Sequence, residues 1–259
     1  ETYLKQQRQI LNDGLSDLSR LAAAGELDDV ELTDAGFSVT PHKAMFPDIA
    51  KALKPKVEGR LPAIRITDLL LEVDTHTGFS NAFTHLRTGR TADNKLALLT
   101  AILADGINLG LTRMADVSPG LTMRQLAWAH DWHIREEGYT AAHAILVNAQ
   151  RQLPLAGLWG DGTTSSSDGQ YFPAGGHAEA IGDLNARYGP NPGAKFYRFT
   201  SDQYGAFHII AMNANASEAI YVLDGLLYHG SDLAIETHYV DTGGVSDMSF
   251  ALCHLVGFQ

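Results

Sequence analysis

The sequence predicts an α/β (α+β) chain, in which a helical N-terminal region is followed by a mixed sheet with flanking helices. Apolar residues recur at mostly helical spacing up to about Gln150, and β-prone runs punctuated by glycine take over after Leu155. With 259 residues, 45% of them hydrophobic and 19% charged, the chain is long enough to bury a sizeable core, and nothing in its composition points to disorder.

From Glu1 to about Glu26, residues Leu4, Ile10, Leu11, Leu15, Leu18 and Leu21 form one apolar stripe, which predicts an amphipathic helix in need of a partner surface. The segment 30–39 is short and turn-rich. Pro41, Pro47, Pro55 and Pro62 then punctuate a connector, after which Ile64 to Val73 reads equally as helix or strand. Helical patterns return at about Asp93 to Ala115 and run again from Leu121 to Gln150. Thr122 with Gln125 makes a capping box for the second stretch, and a break is expected near Gly138.

The segment from Leu155 to Phe172 supplies a first strand and turn. Lys195 to Thr200 and Phe207 to Asn213 read as a pair of strands, joined to the first by a glycine-rich connection from Gly175 to Gly193. Ser217 to Tyr228 is predicted helical, Ile235 to Val240 a strand, and Met248 onward a helix. Three parts result: an N-terminal helix and connector over 1–60, a helical region over 61–153, and a strand-rich part over 154–259.

Two segments carry the chemistry. In the stretch from Leu158 to Gln170, Asp161 and Asp168 stand among glycine, serine and threonine. In the stretch from Glu236 to Asp247, a β-prone run delivers Asp241 to a Gly-rich turn. Asp168 and Asp241 are 73 residues apart and are expected at strand ends. Acids converging from separate rigid elements suit magnesium, which takes oxygen ligands in a near-octahedral shell and is usually held by one or two carboxylates plus water and phosphate. Asp beside Gly is equally the composition of a turn or a helix cap.

Six blocks carry a family resemblance in one order: 65–74 (RITDLLLEVD), 102–111 (ILADGINLGL), 159–170, 201–204 (SDQY), 222–229 (VLDGLLYH) and 238–242 (HYVDT). From Leu61 onward the chain resembles the catalytic region of the class II, or Tn-three family, replicative transposases. These are Asp-Asp-Glu recombinases with an RNase H-like core. The resemblance covers about four fifths of the chain and weakens before about residue 40.

It implies that Asp168 and Asp241 are the first two catalytic acids and magnesium ligands, with manganese able to substitute. Asp161, seven residues before Asp168, stays open as the first ligand, and Asp247 is a weaker competitor for the second. The family's third acid, a glutamate, is expected downstream of Gln259, so the chain reads as an RNase H-like core that is truncated and inactive alone. The edge of its sheet would then be exposed or paired. The implied activity is metal-dependent strand cleavage and strand transfer at transposon ends. Water would cut the end, and the freed 3′ hydroxyl would then attack target DNA. Transposon-end and target DNA would be held mainly by regions outside this chain, a homodimer is possible, and the setting is the bacterial cytoplasm, on the nucleoid.

Charge bears on that expectation. The net charge is −11, with 16 basic and 19 acidic residues up to Gly160 and 3 against 11 from Asp161 onward. Nonspecific DNA affinity comes mostly from Lys and Arg neutralising phosphate, so this chain is expected to bind DNA poorly by itself. Arg65, Arg87, Arg90 and Arg113 are candidates for backbone contacts in a larger assembly, though a solvated helix face explains each as well.

The single Cys253 excludes an intramolecular disulfide and a Cys-based zinc site, and its apolar neighbours predict a buried thiol. No apolar run approaches the roughly 18 residues that span a bilayer. His130 and His133 lack a third ligand nearby, Ser165 to Ser167 lack a Gly-Lys-Ser/Thr motif, and His229 is a candidate for the catalytic face. Two rival readings remain: a non-catalytic scaffold or oligomerisation module, favoured by the first helix, and a stand-alone nuclease completed by Asp161, Asp224 or Asp247.

Overall fold

The computed structural model describes residues 1–27, 29–34, 36–40, 46–173 and 184–259. The chain forms two compact units, residues 1–63 and 64–259.

The first unit opens with α1 (Thr2–Ala23). Leu4, Ile10, Leu11, Leu15 and Leu18 are all exposed along it and Leu21 is half-buried, so most of the apolar stripe read from the sequence is uncovered among the described residues. The turn-rich segment is an antiparallel hairpin of β1 (Val30–Thr33) and β2 (Gly36–Val39). Pro41 of the expected connector lies outside the described residues, and the rest of it contains a helix, α2 (Asp48–Glu58). Pro47 precedes the helix. Pro55 sits in its last turns, where it withholds only one N–H, so three further residues remain helical.

In the second unit the ambiguous segment is helical, as α3 (Ile66–Thr77), which Gly78 stops at φ 68°. A 3-10 turn, Phe79–Ala82, follows. Buried Asp74 accepts from Ser80 N–H at 2.8 Å and from Lys95 Nζ at 3.0 Å, which ties the end of α3 to the start of α4 (Lys95–Gly106). The pattern from Asp93 to Ala115 is two helices, because Gly110 at φ 78° turns the chain into α5 (Leu111–Asp116). Thr122 and Gln125 form the expected capping box at the start of α6 (Met123–His133).

The break before α7 (Glu136–Arg151) falls at Ile134 and Arg135, and Gly138 is a helical residue. A Cβ there would lie 2.9 Å from Phe83 Cδ1, so the glycine serves close packing instead of ending a helix. Phe79, Phe83, Leu98, Leu99 and Ala142 form one buried cluster among these helices, and Ala97, Ala104, Met114, Leu126 and Ala129 form another.

A four-stranded mixed sheet, β3 (Thr164–Pro173), β4 (Gly193–Ser201), β5 (Ala206–Met212) and β6 (Thr237–Val240), has the order β5-β4-β3-β6. β4 is antiparallel to both β3 and β5, whereas β6 runs parallel to β3. Much of the glycine-rich connection between β3 and β4 lies outside the described residues. The expected helix from Ser217 is a 3-10 turn, Glu218–Ile220, followed by α8 (Val222–Leu227), and α9 (Asp247–Val256) comes last.

Tyr197, Phe199, Phe207, Met212, Val222, Leu226, Leu233 and Ile235 fill the core of this part, with half-buried Cys253 packed against it. Burial raises the pKa of the Cys253 thiol. Gly225 is essential to the packing, since a Cβ there would overlap the Phe199 ring. The outer edge of β6 is partly paired: Gln259 donates to Glu236 O at 2.8 Å, and His238 donates to Gln259 O at 2.9 Å. No helix among the described residues is long and apolar enough to cross a membrane.

Candidate metal centre

Three carboxylates from three elements converge. Asp168 of β3, Asp241 just after β6, and Glu218 at the head of the 3-10 turn each offer an oxygen, and these oxygens lie within 4.8 Å of one another. Asp168 is the fifth residue of a ten-residue strand and so is not at a strand end, a correction to the sequence reading. The residues after Leu155, expected to begin the strand, form a 3-10 turn, Ala156–Leu158, instead. β3 starts later because Asp202 and Gln203 hold the approach, accepting from Gly162 N at 3.1 Å and donating to Gly160 O at 2.9 Å.

Register brings the two aspartates level. Ser165 faces His238 and Ser167 faces Val240 in the parallel ladder, so Asp168 on β3 and Asp241 just past β6 are the residues that follow the last pair. The His238 ring reinforces that register from the side chains. Ser165 Oγ lies 2.7 Å from Nδ1, Ser167 Oγ lies 2.8 Å from Nε2, and Ser167 donates to Tyr197 Oη at 2.6 Å. With the Ser167 proton so used, Nε2–H donates to Ser167 and Nδ1 accepts from Ser165, which is the neutral ring. Burial pushes the pKa of His238 down to about 4, consistent with neutrality. Tyr197 lies beneath the acids. Its pKa is pushed up to about 12, first by burial and further by the charges of Glu218, Asp241 and Asp168.

Asp241 closes its own turn, with Oδ1 accepting from Gly243 N at 2.9 Å and Gly244 N at 3.3 Å. Glu218 is buried, unlike the two exposed aspartates, and pairs through Oε1 with Lys195 Nζ of β4, itself buried. Two glycines make room for it. A Cβ on Gly169 would overlap Glu218 Oε1, and one on Gly243 would lie 3.0 Å from Glu218 Oε2 and 3.1 Å from Asp241 Oδ1.

These acids form the floor of a polar cleft of about 460 Å³. Its wall includes Arg187 and Tyr188, on a segment docked by contacts that include the following. Asn185 Nδ2 donates to Ala214 O at 2.7 Å, Tyr171 Oη donates to Asn191 O at 2.8 Å, and the Tyr171 and Tyr188 rings stack at 4.8 Å. Arg187 lies 5.9 Å from the Tyr188 ring centre and pairs with no carboxylate among the described residues.

The other candidates lie elsewhere. Asp161 folds onto its own turn, accepting from the Thr163 hydroxyl at 2.6 Å and the Thr163 N–H at 3.0 Å, and these bonds lower its pKa. Asp247 is the exposed first residue of α9, and Asp224 is exposed on α8. His229 bonds Ser231 and packs its ring edge-on to Phe207 at 4.9 Å, outside the cleft lining. His133 is buried with Nδ1 2.9 Å from Phe83 O, while His130 faces Asp105 and Asp131. Among the described residues the three acids are the sole metal-sized grouping. Arg65 is paired with Asp68, and Arg87, Arg90 and Arg113 are exposed.

Glu218 escaped the sequence reading because it sits within an apolar helical pattern, Glu218-Ala219-Ile220. The available signal was indirect: a glycine stands just after Asp168 and two residues after Asp241, on both backbones that Glu218 approaches.

The family model described as Tn3 transposase DDE domain matches residues 68–259. The whole chain is 52% identical over 259 residues to the transposase for transposon Tn501 of Pseudomonas aeruginosa and 51% identical over 259 residues to that for Tn21 of Escherichia coli. It is 41% identical over 261 residues to the transposase for Tn1546 of Enterococcus faecium. In each case the match covers 100% of this chain and 26% of the relative, so the chain spans about a quarter of the length of these curated relatives.

Proposed function

The chain belongs to the Tn3 transposase DDE-domain family, and we propose that it carries two of the acids with which such a transposase cleaves and joins DNA strands at transposon ends. The observation that carries this reading is the meeting of Asp168 and Asp241, separated by more than seventy residues in sequence, at one end of a β3–β6 parallel pair. Hard oxygen donors at this spacing suit a divalent cation, taken here to be magnesium with manganese able to substitute.

When bound, the cation would supply Lewis-acid stabilisation of charge on the scissile phosphate. The chain's own residues do the rest. Asp168 and Asp241 hold position because their strands are in fixed register, and the Ser165–His238–Ser167 bridge keeps that register. Arg187 offers a cation to the phosphodiester at the cleft wall, where the acid floor would otherwise repel it. Gly169 and Gly243 keep the floor open.

In the whole protein, most contacts to transposon-end and target DNA are assigned to the remaining three quarters, in keeping with the −11 charge of this chain. The 259 residues alone are expected not to cleave DNA. The proposed parts are an N-terminal helix and connector over 1–60, a helical region over 61–153 and the start of the RNase H-like catalytic domain over 154–259. The proposed setting is the bacterial cytoplasm, on the nucleoid.

The exposed apolar stripe of α1 favours a second role in association, such as a homodimer. The test of the main reading is strand cleavage by the intact transposase carrying Asp168→Asn or Asp241→Asn. Cleavage lost with end binding retained supports it, and cleavage at the wild-type rate rejects it.

A further inference from the structure

We infer that Glu218 is a third carboxylate ligand of the divalent cation, so that residues 64–259 hold it on three acids from within this chain. The inference rests on the metal reading of Asp168 and Asp241 and extends it to a residue outside the Asp-Asp pair.

Three observations carry it. First, the Glu218 side chain is only 7% exposed, yet one of its oxygens has no hydrogen-bond partner: Oε1 is taken by Lys195 Nζ, and Oε2 is unpaired and out of contact with solvent. A buried carboxylate oxygen without a partner is costly, and a cation is the partner that removes the cost. Second, Oε2 is aimed at the site. It lies on the Asp241 side of the cluster: a Cβ on Gly243 would come 3.0 Å from Oε2 and 3.1 Å from Asp241 Oδ1, so the two oxygens flank one position, with Oδ1 also accepting from Gly243 N and Gly244 N. Third, one oxygen from each of Asp168, Glu218 and Asp241 lies within 4.8 Å of the others, so a single ion can reach all three with small side-chain adjustments.

Lys195 has a defined part in this arrangement. Three carboxylates at one point carry three negative charges, and Lys195, buried beside Glu218, offsets one of them without occupying the unpaired oxygen. Bare, the cluster is held together against its own repulsion. Loaded, it carries a charge that a divalent ion neutralises.

The bland alternative is that Glu218 exists only to pair Lys195 inside the fold. The two accounts separate on metal affinity. Manganese binding to the 259-residue chain would be measured by calorimetry for the wild type and for Glu218→Gln, Asp168→Asn, Asp241→Asn and Lys195→Met, with circular dichroism to verify folding.

A ligand role predicts that Glu218→Gln weakens binding by about tenfold or more, as ligand-shell changes do, comparably to the aspartate variants, and by more than Lys195→Met, which leaves all three carboxylates in place. Because removing one member of a buried ion pair can unfold a chain, the double variant Lys195→Met with Glu218→Gln is measured alongside and must lose affinity too. Wild-type affinity in either folded Glu218 variant, with binding lost in Asp168→Asn and Asp241→Asn, overturns the role of Glu218 and leaves the two-aspartate reading intact. Absence of manganese binding in the folded wild type overturns the inference as well, and the aspartates are then judged by strand cleavage in the intact transposase.

Discussion

Ser165 and His238 face each other across the parallel β3–β6 ladder, joined at 2.7 Å, and each stands three residues ahead of one of the two converging aspartates. The bond is therefore a ruler. It sets the pairing that delivers Asp168 and Asp241 to one level, and a slip of one residue would turn one of them to the other face of the sheet.

The bridge gives stability a pH dependence. Burial takes the His238 pKa from 6.5 down to about 4. Between those values the unfolded chain binds a proton that the folded chain refuses. The stabilisation is complete above pH 6.5 and is lost as pH falls toward 4, by about 3 kcal/mol at most. His143, His208 and His229, also lowered by burial, act in the same direction. Urea unfolding at pH 7 and pH 5 should show a larger loss for the wild type than for His238→Asn, and equal losses would contradict this account.

Asp168→Asn or Asp241→Asn in the intact transposase should lower strand cleavage by about a thousandfold or more, since the charge stabilisation lost is several kcal/mol. Binding to transposon ends should change little. A gel-shift assay beside a cleavage assay measures both, and loss of end binding by a folded variant would argue against these roles.

Gly169→Ala should destabilise the chain by about 1–3 kcal/mol, because the new methyl group overlaps Glu218 Oε1 and lies 2.7 Å from Lys195 Cε. A lower melting temperature is the readout. An unchanged one would mean that the Lys195–Glu218 pair can move aside freely.

Ser246→Ala should cost about 1 kcal/mol by removing the cap of α9, where Ser246 Oγ accepts from Ser249 N at 3.0 Å. Denaturant titration would register this, with the cation affinity of the chain unaltered.

Arg187→Ala in the intact transposase should weaken DNA binding at the cleaved end and reduce the salt dependence of binding by about one phosphate contact. Titrations of DNA at several salt concentrations would give the slope. An unchanged slope would place Arg187 away from the DNA.

Much of this was legible in the sequence because local patterns matched tertiary needs. The capping box at Thr122, the β4–β5 pair and the strand before Asp241 are set by spacing that packing then used. Where the reading failed, a distant contact had overruled a local signal. The break expected near Gly138 falls a few residues earlier, at Ile134 and Arg135, because Gly138 itself is a packing site for Phe83, and the prolines of the connector hid α2 because Pro55 falls late enough for the helix to form. Asp168 stood out by its small, polar neighbours, but its mid-strand place was not legible, since the anchoring of the preceding turn on Asp202 spans some forty residues. Glu218 had no local signature, because its role depends on two glycines that meet it only in three dimensions.

The parallel pairing of β3 with β6 also fixes an order of events. β3 finds β4 and β4 finds β5 through nearer neighbours, whereas β6 must close a loop of about seventy residues, and such long-range pairings form slowly. On that ground Asp168 is expected to be seated on the β3–β4–β5 ladder before Asp241 is brought beside it. The level placing of Asp168 and Asp241 therefore waits on the closure of β6 against β3, and any site that needs both acids is completed only with that closure.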